Sequence, residues 1–306
     1  MWFHFALRLG LLLAHLLPER WIMAIAIGLG RVAALISPAR HTVARNLAAI
    51  AAREARSHTD SAACEARSYP RPADVFEAYG RYWGEFLILV TRPERSMHLP
   101  IRVEGLAHLE QAAAAGPICL LSAHLGNWDL LAHWLSTRLP QLTTVSEALE
   151  PDALFQLFVR LRARCGIRVL AVNGSGRSLY RLLREGRAVG LVADRVFGMG
   201  TGSGSGKRPA RFLGGWRHFP SAGMDLARRA GAVLLPAFLL REKAGYVIKI
   251  CPPLPEGEDP VAAFGRVLEQ GVLDHPEQWC MLYPLHDAEE ARAEVTGCLA
   301  KGAAIP

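Results

Sequence analysis

An α/β fold, with a mainly parallel or mixed central sheet flanked by helices, is predicted by three observations. From residue 101 onward, short apolar runs rich in branched residues alternate with stretches of helical periodicity. The run Pro117 to Leu121 passes straight into a polar, glycine-containing turn, Ser122-Ala-His-Leu-Gly-Asn-Trp-Asp129, as strands do at the ligand-binding edge of open sheets. The 306 residues are 51% hydrophobic and 21% charged, enough apolar material for one large domain with a sizeable core.

The amino terminus is apolar in a different way. His4, Arg8, His15, Glu19, Arg20 and Arg31 interrupt residues 2–38, and Pro18 divides them. No uncharged run approaches the ~20 residues needed to span a bilayer, and no small-residue cleavage site follows a single apolar core. The pattern predicts two helices, Trp2 to Leu17 and Glu19 to Ile36, lying in or against a membrane interface with arginines reaching toward head groups. The alternative is that both merely pack on the core. Residues 1–40 are therefore read as a membrane-associating segment and 41–306 as a single α/β domain. Another helix begins at Ser37 and runs through Ile50.

Residues 52–72 carry Arg, Ser, Ala and acids without apolar periodicity and read as a surface loop or frayed helix end. A helix from Ala73 to Val90 follows, where Val75, Phe76, Tyr79, Tyr82, Trp83, Phe86 and Leu87 recur at helical spacing. Strands are predicted at Ile101 to Glu104, Ile118 to Ser122, Thr143 to Ser146, Arg168 to Val172, Val189 to Ala193, Val233 to Leu240 and Tyr246 to Cys251. Helices are predicted at Trp128 to Ser136, Pro151 to Cys165, Gly176 to Glu185, Ala222 to Ala230 and Pro260 to Gln270. No internal repeat is evident.

His124 and Asp129 are the leading chemical candidates. An imidazole takes a proton from a hydroxyl near neutral pH, and a neighbouring carboxylate fixes its tautomer. On a continuous helix five residues would rotate the two side chains apart by roughly 140°. Gly126 allows a tight turn and Asn127 can cap the next helix, so base and acid are expected to meet across that turn. A His-x4-Asp spacing also arises by chance in core or surface structure. Its position after a strand favours function. Glu147 and Asp194 each follow a strand-like run, which places them near the same sheet edge. Arg162 lies on a predicted helix with Arg160 and Arg164, where a solvated helix face is the bland alternative. Asp194-Arg195 could form a structural ion pair.

Several chemistries are disfavoured. The run Gly198 to Arg208 has Thr201 and Arg208 where a phosphate-binding loop needs Gly and Ser or Thr, and it contains no Gly-x-Gly-x-x-Gly. It reads as a flexible loop whose Lys207, Arg208 and Arg211 meet phosphate. No serine sits in a Gly-x-Ser-x-Gly elbow. The six cysteines, Cys64, Cys119, Cys165, Cys251, Cys280 and Cys298, form no Cys-x-x-Cys pair, so neither zinc nor a disulfide framework is indicated and no metal site is expected. The formal charge of +7 suits an anionic bilayer, a lipid head group or a phosphate-bearing donor. Nucleic acid is not expected, because the aromatics are not interleaved with a basic patch.

Read in order, Asn46-Leu47, Tyr79-Gly-Arg-Tyr-Trp-Gly-Glu85, Ser122 to Asp129, Val192-Ala-Asp-Arg195, Arg211-Phe-Leu-Gly214, Phe219-Pro220 through Pro236, and Pro276-Glu-Gln-Trp-Cys-Met-Leu282 resemble the bacterial late lipid A acyltransferases and their relatives, the actinobacterial phosphatidylinositol mannoside acyltransferases. The resemblance covers most of the chain. It implies a glycerolipid acyltransferase-like fold and a peripheral or monotopic enzyme at the cytoplasmic face of the plasma membrane. It also implies transfer of a fatty acyl group from acyl coenzyme A or acyl carrier protein to a glycolipid hydroxyl, with no further cofactor. By that likeness His124 is the base, Asp129 its partner, and Glu147 and Arg162 line the groove. Backbone amides near Gly126 and Asn127 are expected to hold the oxyanion, and Arg162 and Arg195 the anionic parts of donor or acceptor. The loop after Asp194-Arg195 and the polar stretch 52–72 depart from the family's pattern. Acylation of a lysophospholipid or glycerol phosphate, and lipid binding without catalysis, are the alternatives.

Overall fold

The computed structural model describes residues 2–57, 69–96, 98–139, 141–171, 176–196 and 206–285. Helices α1 (Trp2–Leu16), α2 (Glu19–Ile36) and α3 (Ala39–Ser57) open the chain, followed by α4 (Pro72–Thr91) and the short α5 (Pro93–Ser96). Then come β1 (Ile101–Glu104), α6 (Leu106–Ala115), β2 (Ile118–Ser122), α7 (Trp128–Ser136), β3 (Thr143–Ser146), α8 (Asp152–Arg164), β4 (Arg168–Ala171), α9 (Gly176–Arg184) and β5 (Val189–Val192). The remainder is β6 (Lys207–Phe212), β7 (Gly215–Pro220), α10 (Ala222–Arg229), β8 (Val233–Glu242), β9 (Gly245–Ile250) and α11 (Pro260–Asp274).

Seven strands form one sheet in the order β1-β9-β8-β2-β5-β3-β4. All neighbours run parallel except the β8–β9 hairpin, so the sheet is mixed as the sequence predicts. Successive side chains in a strand point to opposite faces, and β2 shows how this makes two cores. Ile118 and Leu120 pack with Phe86, Leu130, Leu135 and Phe158 of α4, α7 and α8. Cys119 and Leu121 turn the other way, to Leu179, Leu183, Met224 and Phe264 of α9, α10 and α11.

Besides the one-turn α5, two features were not legible. The separate hairpin β6–β7 spans residues placed at the end of the flexible loop and beyond it, because Arg208, Arg211, Arg217 and His218 hide the alternation of Ala210, Phe212 and Phe219. Arg208 is committed to Asp225 and Asp259, at 2.7 and 2.9 Å, while Arg211 is exposed with its guanidinium 5.0 Å over the Trp216 ring. Residues 197–205 lie outside the described residues. The alanine-rich α6 is the second, its repeated alanines blurring any helical period. The predicted surface loop 52–72 begins as helix, α3 continuing to Ser57, and residues 58–68 are not described.

Helix α2 is fastened to α4 by backbone contact. Ile22, Ala26, Gly30 and Ala34 form its buried stripe. A Cβ on Gly30 would lie 2.4 Å from the Phe76 carbonyl oxygen, and one on Gly80 the same distance from that of Ala26. Its opposite face stays exposed through Trp21, Ile25, Leu29, Val32 and Leu35, as α1 does through Phe5, Leu9, Leu12 and Leu16. Among the described residues no single helix is long and apolar enough to cross a membrane; α2 and α3 qualify only as a pair, bent by 91°.

Candidate active site

Strands β2, β5 and β3 lie side by side and run the same way, so the residues that follow them emerge at one sheet edge. Ser122 pairs in register with Val192, which sets His124 and Asp194, each two residues further on, beside one another. His124 Nδ1 lies 2.7 Å from Asp194 Oδ1, and the His124 backbone N–H donates to Oδ2 at 2.9 Å. Trp279 Nε1 donates to the same oxygen at 3.1 Å. The Asp194 side chain is 1% exposed and that of His124 is 21%. Burial alone would raise the Asp194 pKa. The electrostatic attraction of His124 and the hydrogen bonds from His124 and Trp279 outweigh it and hold the carboxyl below its ordinary value. An ionised carboxylate accepts only, so it selects the Nδ1–H tautomer and leaves the Nε2 lone pair to act as a base.

The partner of the imidazole is therefore Asp194, which corrects the expectation that His124 and Asp129 meet. Asn127 does cap α7, its Oδ1 accepting from the Leu130 N–H at 2.9 Å, and Asp129 does fall in the first turn. The Asp129 carboxylate is taken up elsewhere. Arg162 donates to it from Nε at 2.7 Å and Nη2 at 3.1 Å, and the Tyr82 hydroxyl at 2.6 Å. Burial would lower the Arg162 pKa, but the Asp129 charge and hydrogen bond push it up instead. The Tyr82 hydroxyl is raised well above its usual value, by burial first and by Asp129 second. Asp129 reaches His124 only through aromatic rings: Tyr82 stacks on Trp128 at 4.0 Å, and Trp128 meets His124 edge-on at 4.9 Å.

The expected amide pair for the oxyanion is likewise corrected. The Gly126 N–H donates to the Gln278 carbonyl at 3.0 Å and the Asn127 N–H to that of Leu239 at 2.9 Å. Gly126 has φ +70°, and a Cβ there would lie 1.9 Å from Leu239 O, so the glycine serves the turn and its docking on β8. Asn127 is fully buried, its amide donating to Glu85 at 2.7 Å. Glu85 also accepts from Tyr246 at 3.0 Å and pairs with Arg241 at 3.4 Å, a support behind the turn that the sequence did not suggest.

Glu147, at the end of β3, pairs with Arg195 at 3.3 Å, and the Arg195 guanidinium lies 3.5 Å over the Tyr283 ring. His124, Asp129, Glu147, Arg162 and Arg195 all line one cavity of about 420 Å³; Gly126, Asn127 and Asp194 do not. Much of its wall is apolar, with Leu120, Leu131, Leu135, Leu142, Leu149 and Phe158. Asp194 was placed at the correct edge from sequence. Its pairing with His124 had a signal too, since Ala123-His124 and Ala193-Asp194 end equivalent apolar runs.

Residues 1–286 match the family model described as bacterial lipid A biosynthesis acyltransferase. The chain belongs to that family. It is an acyltransferase. Two phosphatidylinositol mannoside acyltransferases of Mycobacterium tuberculosis, from strains CDC 1551 / Oshkosh and ATCC 25618 / H37Rv, are each 35% identical over 229 residues, 71% of this chain and 71% of theirs. The phosphatidylinositol mannoside acyltransferase of Mycolicibacterium smegmatis is 30% identical over 243 residues, 72% of this chain and 78% of its own. For an acyltransferase the cysteines matter as possible nucleophiles. Cys119, Cys165 and Cys280 are buried, and burial pushes each thiol up to about 12. None of these three offers a thiolate near neutral pH.

Proposed function

We propose that this acyltransferase moves a fatty acyl group from acyl coenzyme A or acyl carrier protein to a hydroxyl of a glycolipid of the phosphatidylinositol mannoside or lipid A kind. The observation that carries the reading is the imidazole of His124, clamped at Nδ1 by the buried Asp194 and presented to a largely apolar cavity. The acyl tail lies along the apolar wall and the thioester carbonyl stops beside His124. Nε2 takes the proton as the acceptor oxygen forms its bond to the carbonyl carbon. The tetrahedral intermediate then expels the thiolate, which recovers that proton from the imidazolium. Donor and acceptor held together supply much of the acceleration, because the thioester is already activated. Asp129 is a positioning residue, holding Arg162 and the Tyr82–Trp128 stack against which His124 rests. Glu147 and Arg195, at the end of β3 and beyond β5, meet the polar part of a substrate.

Work at a membrane surface belongs to the same proposal. The exposed apolar faces of α1 and α2, with Arg8 and Arg20 beside them, suit a helix pair lying on an anionic leaflet. The cytoplasmic face is where both thioester donors occur. Incubating the purified chain with labelled palmitoyl coenzyme A, in vesicles holding either a phosphatidylinositol mannoside or a lysophospholipid, tests the acceptor. Mass spectrometry should find one added acyl ester on the glycolipid. Acylation of the lysophospholipid alone would overturn the acceptor class.

A further inference from the structure

One glycine on the cavity wall is required neither by the backbone nor by its protein neighbours. Gly190 sits within β5, in register between Leu120 of β2 and Thr144 of β3. A glycine inside a strand weakens it and often marks the close approach of another group. The φ of Gly190 is outside the left-handed region, and an added Cβ would touch only Thr144 Cγ2 at 3.4 Å and Leu142 Cδ1 at 4.0 Å, ordinary contacts with two residues that also line the cavity. Its neighbour Val189 is fully buried, yet Gly190 keeps some exposure in the middle of a covered sheet, onto the cavity it lines.

Register gives the depth. Leu120 and Ser122 share one face of β2, His124 follows two residues past its end, and all three line the cavity; Gly190 pairs with Leu120, four residues before His124. At about 3.3 Å per extended residue that is at most about 13 Å. An extended alkyl chain built from ~1.52 Å carbon–carbon bonds at ~111° advances about 1.25 Å per carbon. A chain with its carbonyl at His124 thus passes Gly190 near its tenth carbon.

We propose that Gly190 is the length-setting residue for the acyl chain: its missing side chain keeps open the part of the cavity that takes carbons beyond about the tenth. The inference rests on the cavity being the acyl site, and the test separates the two. Purified full-length protein and its Gly190→Ala and Gly190→Val variants are loaded with a fluorescent fatty acid, which decanoyl, myristoyl and palmitoyl coenzyme A then displace. Each methylene kept out of the channel costs roughly fourfold in affinity, so Gly190→Val is expected to weaken palmitoyl binding by more than about tenfold and decanoyl binding by less than about threefold. Gly190→Ala should shift the ratio in the same direction by a smaller factor, and it carries the test alone should valine prevent folding. An unchanged palmitoyl-to-decanoyl ratio in the folded variants overturns the role of Gly190 while leaving the acyl cavity in place. Failure of the unaltered protein to bind either the fluorescent fatty acid or any of the thioesters overturns both.

Discussion

Replacing Asp194 by asparagine isolates what the buried carboxylate does for His124. The amide matches the carboxylate in size. Its oxygen, placed where Oδ2 now lies, can still accept from the His124 N–H at 2.9 Å and from Trp279 Nε1 at 3.1 Å. The amide nitrogen then falls at the Oδ1 position, 2.7 Å from His124 Nδ1. Two donors cannot face each other there, so Nδ1 must accept and the ring proton moves to Nε2. An Nε2–H imidazole has no lone pair for the acceptor hydroxyl. General-base catalysis contributes about 10² to 10⁴-fold, and a tautomer inversion of this kind costs on the order of 10⁴ in kcat, so a loss of about 10³ to 10⁴ is expected. In activation free energy that is about 4 to 5.5 kcal/mol. Initial rates of acyl transfer under saturating donor read the loss, and a thermal melt run in parallel should move by only a few degrees because the hydrogen bonds persist. A folded Asp194→Asn enzyme within about tenfold of the unaltered rate would refute the tautomer argument.

Asp129→Ala should behave differently: it strands the buried Arg162 without its carboxylate, at a cost of about 3 to 5 kcal/mol, so a large fall in the denaturation midpoint is expected, and an unchanged midpoint would deny the pair its structural part. Gly80→Ala puts a methyl 2.4 Å from the Ala26 carbonyl oxygen and must part α2 from α4, so the melting temperature should drop by the equivalent of about 1 to 3 kcal/mol, while Gly28→Ala, mid-helix with nothing within 4 Å, should raise it by the equivalent of about 0.5 to 1 kcal/mol. Acid should unfold the protein partly through Asp194. Its pKa is lowered in the folded state, so its stabilising contribution is complete above the unfolded carboxyl value and disappears as pH falls through the folded one. Denaturant midpoints between neutral and acid pH should therefore fall less steeply for Asp194→Asn; parallel slopes would contradict this.

The sheet, all seven of its strands and the capped turn at Asn127 could be read from sequence because each depends on local alternation and punctuation. The pairing of His124 could not be read from spacing along the chain. A carboxylate five residues away falls on a helix whose first turn faces α4 and α8, where Tyr82 and Arg162 claim it. The carboxylate that does reach the ring lies 70 residues on, brought alongside by the β2–β5 register. The same limit hid the use of the Gly126 and Asn127 amides, whose acceptors come from β8 and from Gln278. The glycines at 30 and 80 gave no signal by themselves, since only the crossing of α2 over α4 shows that a side chain would strike backbone.

The proposed acyl transfer requires His124 to take the proton from the acceptor hydroxyl. Single-turnover transfer from labelled palmitoyl coenzyme A to a phosphatidylinositol mannoside, compared between the unaltered protein and His124→Ala matched for thermal stability and for donor binding, measures that step. A drop of at least about 10²-fold in the transfer rate with donor affinity preserved is the predicted result. Transfer at a near-normal rate by the folded variant would contradict it.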